Sequence, residues 1–389
     1  MVPETYSQAV DLARNLYEDL SFGYVRRWKK KSADRKAIGF LPIYVPRELI
    51  HAAGMLPAGI FGGGDRISVV KGDAFFQSYI CHLPRSVIEM ALDGKLDAFD
   101  GFVFPSICDV IRNLSGVFRI HFPGSLVFYL DFPQSFLPST GGKFYRRQLE
   151  RLARELETLN GRTITRGRLN RSIGLYNANR RLVNRISEFR ARYPHRLSAV
   201  DHYLFLRAGY VMSVEDHNNL LTRVLDLLAG MDREPEDKIR VVITGSFCEQ
   251  PPLGLIKTVE NAGCYIVDDD FQLGSKWISG NLPDDTDDPM GVLVEAYLSG
   301  NTVSSAIYDG NGPKEETFVR EVEKRDADGV IFCAPSFCDP ALLDRPRLED
   351  ALDRHHIRHF SCQYHENLGQ FHVIKEQAGT FADMIKLWE

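Results

Sequence analysis

Two stretches of this chain carry nearly the same text. Asp100-Gly-Phe-Val-Phe-Pro-Ser-Ile-Cys-Asp109 recurs as Asp328-Gly-Val-Ile-Phe-Cys-Ala-Pro-Ser-Phe-Cys-Asp339. The second copy carries two extra residues, Cys333 and Ala334, and keeps Asp-Gly, the apolar triplet, Pro-Ser, one apolar residue and Cys-Asp. Each copy reads as an apolar strand that runs into a Pro-Ser turn, with a cysteine at the mouth of a helix. In the first copy the strand is Phe102 to Phe104 and the helix begins near Val110. Ligands of open α/β sheets sit beyond the carboxyl ends of the strands. The repeat therefore implies two half-molecules with Cys108 and Cys338 facing one another across a cleft.

A chain of 389 residues exceeds one ordinary core, so two or three domains are expected. The apolar fraction of 44% and charged fraction of 25% are those of a globular protein. A net charge of -5 offers no electrostatic reason for a nucleic-acid or membrane-surface partner. The opening Met-Val-Pro-Glu-Thr-Tyr lacks a basic region followed by an apolar run, and no apolar run is long enough for a membrane span. A cytoplasmic protein is expected. Seven cysteines, an odd number in so long a chain, argue against a disulfide framework and for metal or redox chemistry.

Taken in order, the first 35 residues predict a helix with a stripe of Tyr6, Val10, Ala13, Tyr17 and Leu20, closed by the basic run Arg26 to Lys31. Strands are predicted at Ala37 to Val45, Leu56 to Phe61, Phe102 to Phe104 and Ser125 to Leu130. Helices Arg47 to Ala53, with Pro46 as first helical residue, and Arg85 to Leu92 lie among them. Gly62-Gly63-Gly64 matches neither phosphate-loop pattern and reads as a flexible turn. This rhythm indicates a parallel sheet covered on both faces. From about 142 to 235 the texture is helical: Phe144 to Leu159, Leu169 to Tyr193 and Ser213 to Leu228. Its arginines, frequent from Arg146 to Arg196, suggest a solvated layer pairing with local glutamates; a docking surface for an acidic partner or CoA phosphates is the alternative.

Strand-helix alternation then resumes. Strands are expected at Arg240 to Thr244, Cys264 to Val267, Val330 to Phe332 and His359 to Cys362. Helices are expected at Pro252 to Asn261, Pro289 to Leu298, Lys314 to Arg325, Leu342 to His355 and Gln370 to Trp388. The acidic runs Asp268 to Asp270 and Asp284 to Asp288 lack the EF-hand ligand pattern and read as exposed loops. The fold class is thus α/β, with parallel-sheet units over 1–141 and 236–389 and a helical segment over 142–235.

Cys81, Cys108 and Cys338 each precede a predicted helix, where the helix N-terminus lowers thiol pKa and favours a metal-binding thiolate. Cys264 and Cys362, on strands, read as small buried hydrophobes; Cys248 and Cys333 are weaker ligand candidates. Three thiolates from distant loops suit either a Cys₃ zinc site or a [4Fe–4S] cluster with one open iron. Neither a CxxC pair nor a ferredoxin run of cysteines is present. Spacing alone establishes only an interdomain site of three cysteines.

Gly39 to Pro57 (Gly-Phe-Leu-Pro-Ile-Tyr-Val-Pro-Arg-Glu-Leu-Ile-His-Ala-Ala-Gly-Met-Leu-Pro) resembles the opening motif of the 2-hydroxyacyl-CoA dehydratase / benzoyl-CoA reductase family. So do Phe337-Cys-Asp-Pro340 and the C-terminal Glu-Gln-Ala-Gly-Thr-Phe-Ala-Asp, and the likeness runs over nearly the whole chain. Gly62 to Asp65, Gly72 to Ser86 and Cys108 to Ser115 look most like the smaller (gamma) core subunit of the ATP-dependent reductases. The resemblance implies two Rossmann-like or flavodoxin-like domains with a helical segment. It also implies a [4Fe–4S] cluster held by three cysteines, which fall on Cys81, Cys108 and Cys338. A double-cubane cluster, known among relatives, would need more thiolates, with Cys248, Cys333 and Cys362 as candidates.

The implied reaction is reduction of the benzoyl-CoA ring to a cyclohexadienoyl-CoA by low-potential electrons from ferredoxin. Implied partners are a paralogous core subunit and two ATPase subunits; no ATP site is seen in this chain. Phe102, Phe104, Ile107 and Phe337 would wall the site. His82, beside Cys81, is a candidate proton donor or a hydrogen-bonding support for that ligand. Glu48 and His51 share a helix face that either touches substrate or forms a salt-bridged surface. Asp109 and Asp339 read as helix caps. The same scaffold also serves 2-hydroxyacyl-CoA dehydratases, and a non-catalytic electron-relay subunit is a third reading.

Overall fold

In the computed structural model, the described residues are 3–41, 43–245, 251–271, 273–299, 304–307, 312–365 and 371–387. Two helices, where the sequence pattern suggests one, open the chain: α1 (Tyr6–Glu18) and α2 (Gly23–Lys30). Thr5 caps α1 by accepting from the Gln8 backbone, and the Gln8 side chain returns the bond, closing a capping box. Phe22 then adopts a left-handed φ of 54° and turns the chain, so the stripe is split. Ala9, Ala13 and Leu16 form the buried face of α1, and Leu20 falls in the turn.

The first sheet is built from β1 (Ala37–Phe40), α3 (Arg47–Ala52), β2 (Leu56–Gly59), α4 (His82–Leu92), β3 (Gly101–Pro105), α5 (Asp109–His121) and β4 (Leu126–Leu130). Its order is β2-β1-β3-β4, parallel throughout. β1, β2 and β3 are buried at every position, which explains why their sequences run apolar without alternating. Pro46 is the N-cap of α3 and not its first residue. Phe118 of α5 wedges between Phe102 and Phe104 of β3, with ring centroids 5.0 Å from each. Truncating such a fully buried phenylalanine costs about 3–5 kcal/mol. This wedge anchors α5, the helix that Cys108 precedes, against the sheet.

The middle layer is α6 (Lys143–Asn160), α7 (Arg166–Arg192), α8 (Ala199–Ala208) and α9 (Val214–Ala229). Helix α8 has no counterpart in the sequence reading because it is buried nearly all round and shows no apolar stripe. Among the described residues the arginines of this layer reach mostly to acids distant in the chain, although Arg146 also pairs with the local Glu150 at 2.9 Å, as expected. Arg146 binds Asp288 at 2.6 Å, and Arg166 pairs with Asp287. Arg180 is buried against Glu48 at 2.5 Å, and Arg190 is buried against Asp269.

The second sheet comprises β5 (Ile239–Thr244), α10 (Leu253–Asn261), β6 (Cys264–Asp269), α11 (Leu273–Lys276), α12 (Pro289–Leu298), α13 (Lys314–Lys324), β7 (Gly329–Pro335), α14 (Asp339–Arg354), β8 (Arg358–Tyr364) and α15 (His372–Leu387). Its order is β6-β5-β7-β8, again parallel. Asp268 and Asp269 end β6 and are not an exposed acidic loop. Burial opposes the Asp268 charge, but Lys276, Arg325 and Arg190 outweigh it and hold this carboxyl well below the usual range. Asp284, Asp285, Asp287 and Asp288 are exposed, as expected. Helices α11 and α12 pack into the same apolar cluster as the first sheet, through Leu273, Trp277, Leu293 and Tyr297. Among the described residues no helix is long and apolar enough to cross a membrane.

The repeated text folds into matching structure. β3 and β7 each stand third in their sheet. The Asp100 carboxylate accepts the backbone N–H of Ala37 at 2.8 Å, and Asp328 accepts that of Arg240 at 2.6 Å. The strand order reverses between β1 and β3 and again between β5 and β7, the switch points where α/β sheets bind ligands.

Candidate metal centre

The turn after β3 presents Cys108. Ser106 N–H donates to the Leu130 carbonyl at 3.0 Å, and Ile107 N–H donates back to Pro105 at 2.9 Å. Cys108 is then the extended N-cap of α5, its carbonyl accepting Arg112 N–H at 3.2 Å. The turn after β7 repeats the arrangement. Ser336 N–H donates to Tyr364 at 2.9 Å, and the carbonyl of Cys338, N-cap of α14, accepts Leu342 N–H at 3.0 Å. Phe337 reaches this geometry with φ of 64°, left-handed backbone that costs a non-glycine residue roughly 1–2 kcal/mol. Stored strain of this kind clusters at functional sites.

Cys81 arrives by another route, as the N-cap of α4. Glu89 of that helix accepts the N–H groups of Val70 and Gly72 at 2.9 and 2.8 Å, tying down the preceding loop. At Gly72 a Cβ would stand 2.2 Å from the Arg85 carbonyl oxygen, so only glycine fits there.

All three cysteines line one cavity of about 1290 Å³ between the two sheets. Ile107, Phe132, Tyr297, Ile307 and Phe337 form much of its apolar wall. Burial pushes the Cys108 thiol up, while the backbone N–H groups of Ile111 and Val110 pull it down. Asp109 and Asp339 add to the upward push, and Asp339 belongs to the helix that Cys338 caps, so the two halves meet here. A bound cation reverses this balance, because a coordinating thiol is deprotonated. Among the described residues, no three His, Cys, Asp or Glu side chains stand close enough to hold a single metal ion.

Other expectations fall elsewhere. His82 opens α4 and is buried, but it is not among the residues lining the cavity. Of the four expected wall residues, Ile107 and Phe337 line it, whereas Phe102 and Phe104 are spent on the sheet core around Phe118. Glu48 does form a salt bridge, with Arg180, but inside the protein and not on its surface, and it is not among the residues lining the cavity. His51 bridges Ser172 at 2.9 Å and Glu215 at 3.2 Å, and the hydrogen bond from His51 holds the Glu215 carboxyl down at about 2. Cys264, Cys333 and Cys362 lie on strands β6, β7 and β8, away from this cavity. Cys248 lies outside the described residues.

One polar pair in the wall escaped the sequence reading. Lys314, the buried first residue of α13, stands 2.9 Å from Asp344, and both line the cavity. The Lys314 ammonium also donates to the carbonyls of Ile307 at 3.3 Å and Ser304 at 3.5 Å. Tyr44 holds Ser304 from the other side, hydroxyl to hydroxyl at 2.5 Å. A lysine in the first turn of a helix opposes the helix dipole; that misfit was the one sequence signal available.

Residues 42–385 match the family model described as 2-hydroxyglutaryl-CoA dehydratase, D-component. The chain is 49% identical to the C subunit of benzoyl-CoA reductase of Thauera aromatica, over 96% of this chain and 97% of that protein. It is 28% identical to the beta subunit of (R)-2-hydroxyglutaryl-CoA dehydratase of Acidaminococcus fermentans, over 92% of this chain and 94% of that protein. The beta subunit of (R)-phenyllactyl-CoA dehydratase of Clostridium sporogenes is 27% identical over 90% and 92%. The family resemblance carried by Gly39 to Pro57 and Phe337 to Pro340 is thus borne out along almost the full length. The chain belongs to the 2-hydroxyglutaryl-CoA dehydratase D-component family.

Proposed function

We propose that this chain is the smaller core subunit of an ATP-dependent benzoyl-CoA reductase, holding a [4Fe–4S] cluster on Cys81, Cys108 and Cys338. The observation that carries the reading is the identity of 49% to a benzoyl-CoA reductase subunit, against 27–28% to dehydratase beta subunits of the same family. The donor set suits a cluster: three soft thiols and an apolar wall. Cys81, Cys108 and Cys338 would hold such a cluster from three separate loops, a donor set that need not converge on a single ion.

When bound, the cluster supplies low-potential electrons for reduction of the aromatic ring. The chain's own residues prepare the place. The N-termini of α4, α5 and α14 stabilise thiolates at Cys81, Cys108 and Cys338. Ile107, Phe132 and Tyr297, all buried, would exclude water and keep the local dielectric low, which tunes the potential of whatever the thiolates hold. His82, the buried residue directly after Cys81, supports that ligand; a role in handing a proton to the ring would require it to reach past the wall. A paralogous core subunit and two ATPase subunits complete the assembly, with ferredoxin as its electron donor.

A ring reductase consumes two electrons per product, whereas a dehydratase recycles the electron that activates it. Purified complex supplied with benzoyl-CoA, reductant and ATP should hydrolyse ATP in fixed ratio to thioester reduced through many turnovers. Conversion of a 2-hydroxyacyl-CoA that continues after ATP is withdrawn would place the chain with the dehydratases instead.

A further inference from the structure

Two cysteines outside the cavity face one another across a strand pair. Cys333 of β7 and Cys362 of β8 are register partners in the second sheet. Adjacent strands lie about 4.8 Å apart, within the roughly 4.4–6.8 Å between Cα atoms that a disulfide accepts. Both side chains are buried, and the Cys333 thiol hydrogen-bonds to Cys362. Cys333 is one of the two extra residues that distinguish the second repeat from the first. The first sheet has no such pair: the rung at the same distance along its strands is Pro105 with Leu130. Cys362 also lines a second cavity, of about 350 Å³, with Tyr364, His365 and Phe371, which gives a small molecule a route to its sulfur.

We propose that Cys333 and Cys362 are an oxidisable dithiol that closes to a reversible disulfide when the protein meets hydrogen peroxide. In the first step the Cys362 thiolate attacks a peroxide oxygen and the O–O bond breaks. The departing hydroxide takes up a proton and leaves as water, so Cys362 becomes a sulfenic acid. In the second step the Cys333 sulfur attacks the Cys362 sulfur, the S–O bond breaks, and a second water carries off the Cys333 proton. The two sulfurs lose two electrons and the peroxide gains them. The order of attack follows from the surroundings. Cys333 is held well above the ordinary thiol range because it donates to Cys362 and because it is buried, whereas Cys362 reaches the cavity. The closed loop would contain Cys338 and all of α14, so oxidation ties one corner of the main cavity to β8. This inference is independent of the proposed reaction.

The test uses the full chain in its purified assembly, prepared without oxygen and treated with limiting peroxide. The protein is then denatured in acid, alkylated, digested with trypsin and mapped by mass spectrometry. Tryptic segments 326–347 and 359–375 should appear joined through Cys333 and Cys362, two hydrogens lighter than their sum, and dithiothreitol should separate them. Cys264, whose register partner is Ile239, should stay open to alkylation and serves as the internal control. In Cys333→Ser the oxidised Cys362 should be trapped by dimedone, and in Cys362→Ser no dimedone adduct should form at Cys333. A link from Cys362 to Cys338, or sulfinic acid at Cys362 of the unsubstituted protein with Cys333 still alkylated, would overturn the proposal.

Discussion

Ser106 and Ser336 make the same hydrogen bond in the two halves of the molecule. Each donates its backbone N–H to the last residue of the neighbouring strand, Leu130 at 3.0 Å and Tyr364 at 2.9 Å. Two residues further on in each case stands a cysteine that caps a helix. The identical bond helps bring Cys108 and Cys338 to the lining of one cavity.

If those thiols and Cys81 hold the cluster, replacing any one with alanine should remove most of the iron and sulfide from anaerobically purified protein. The low-temperature EPR signal of the reduced complex should disappear with it. Cys264→Ala serves as the control and should keep full iron. Undiminished iron in all three variants would end the assignment.

The pair of Arg180 and Glu48 locks α7 to α3 with both side chains almost wholly buried. Removing one partner strands the other charge in the interior, at a cost of about 3–5 kcal/mol. Arg180→Met should lower the urea midpoint accordingly, and adding Glu48→Gln should recover part of the loss. Equal stability of the single variant and the unsubstituted chain would show that the pair contributes little.

His217 makes stability fall in mild acid. Its Nε2 binds the Phe205 carbonyl at 3.0 Å and its Nδ1 lies 2.8 Å from the Asn179 amide nitrogen. This places the proton on Nε2 and leaves Nδ1 as acceptor. Burial lowers the folded pKa to about 4 from 6.5. Between those values the unfolded chain binds the proton and the folded one does not, so stability drops as pH falls from 6.5 and levels near 4. The loss from this residue is on the order of 3 kcal/mol. Urea unfolding at stepped pH should show the slope, and His217→Gln should flatten it by about one proton.

Lys314 clamps the strap that includes Ser304 and Ile307 against the cavity. Lys314→Met should speed amide hydrogen exchange over 304–307, and Lys314→Arg should restore much of the protection. Unchanged exchange in Lys314→Met would show that the ammonium does not hold this segment.

The sheets and the three helix-capping cysteines were legible because they depend on local signals: apolar runs, Pro-Ser turns and a repeated motif. What the sequence hid was settled by partners far along the chain. Asp268 and Asp269 look like a solvated run until Arg190, Arg325 and Lys276 arrive to neutralise them. Helix α8 carries no stripe because it is covered on nearly every side. Phe102 and Phe104 look like site residues, but Phe118 claims them for the sheet. Lys314 and Asp344 are 30 residues apart on different helices, and only folding makes them a pair.

The matched strand order has a consequence for the shape of the centre. Helix α4 leads into β3 as α13 leads into β7, so the start of α13 is the counterpart of the start of α4. Cys81 caps the one; Pro313 caps the other, and Lys314 follows it. A duplicated frame thus offers four corners and furnishes thiols at three, leaving an ammonium at the fourth. At this corner the two halves differ in chemistry, a thiol at the helix start in the first and an ammonium in the second.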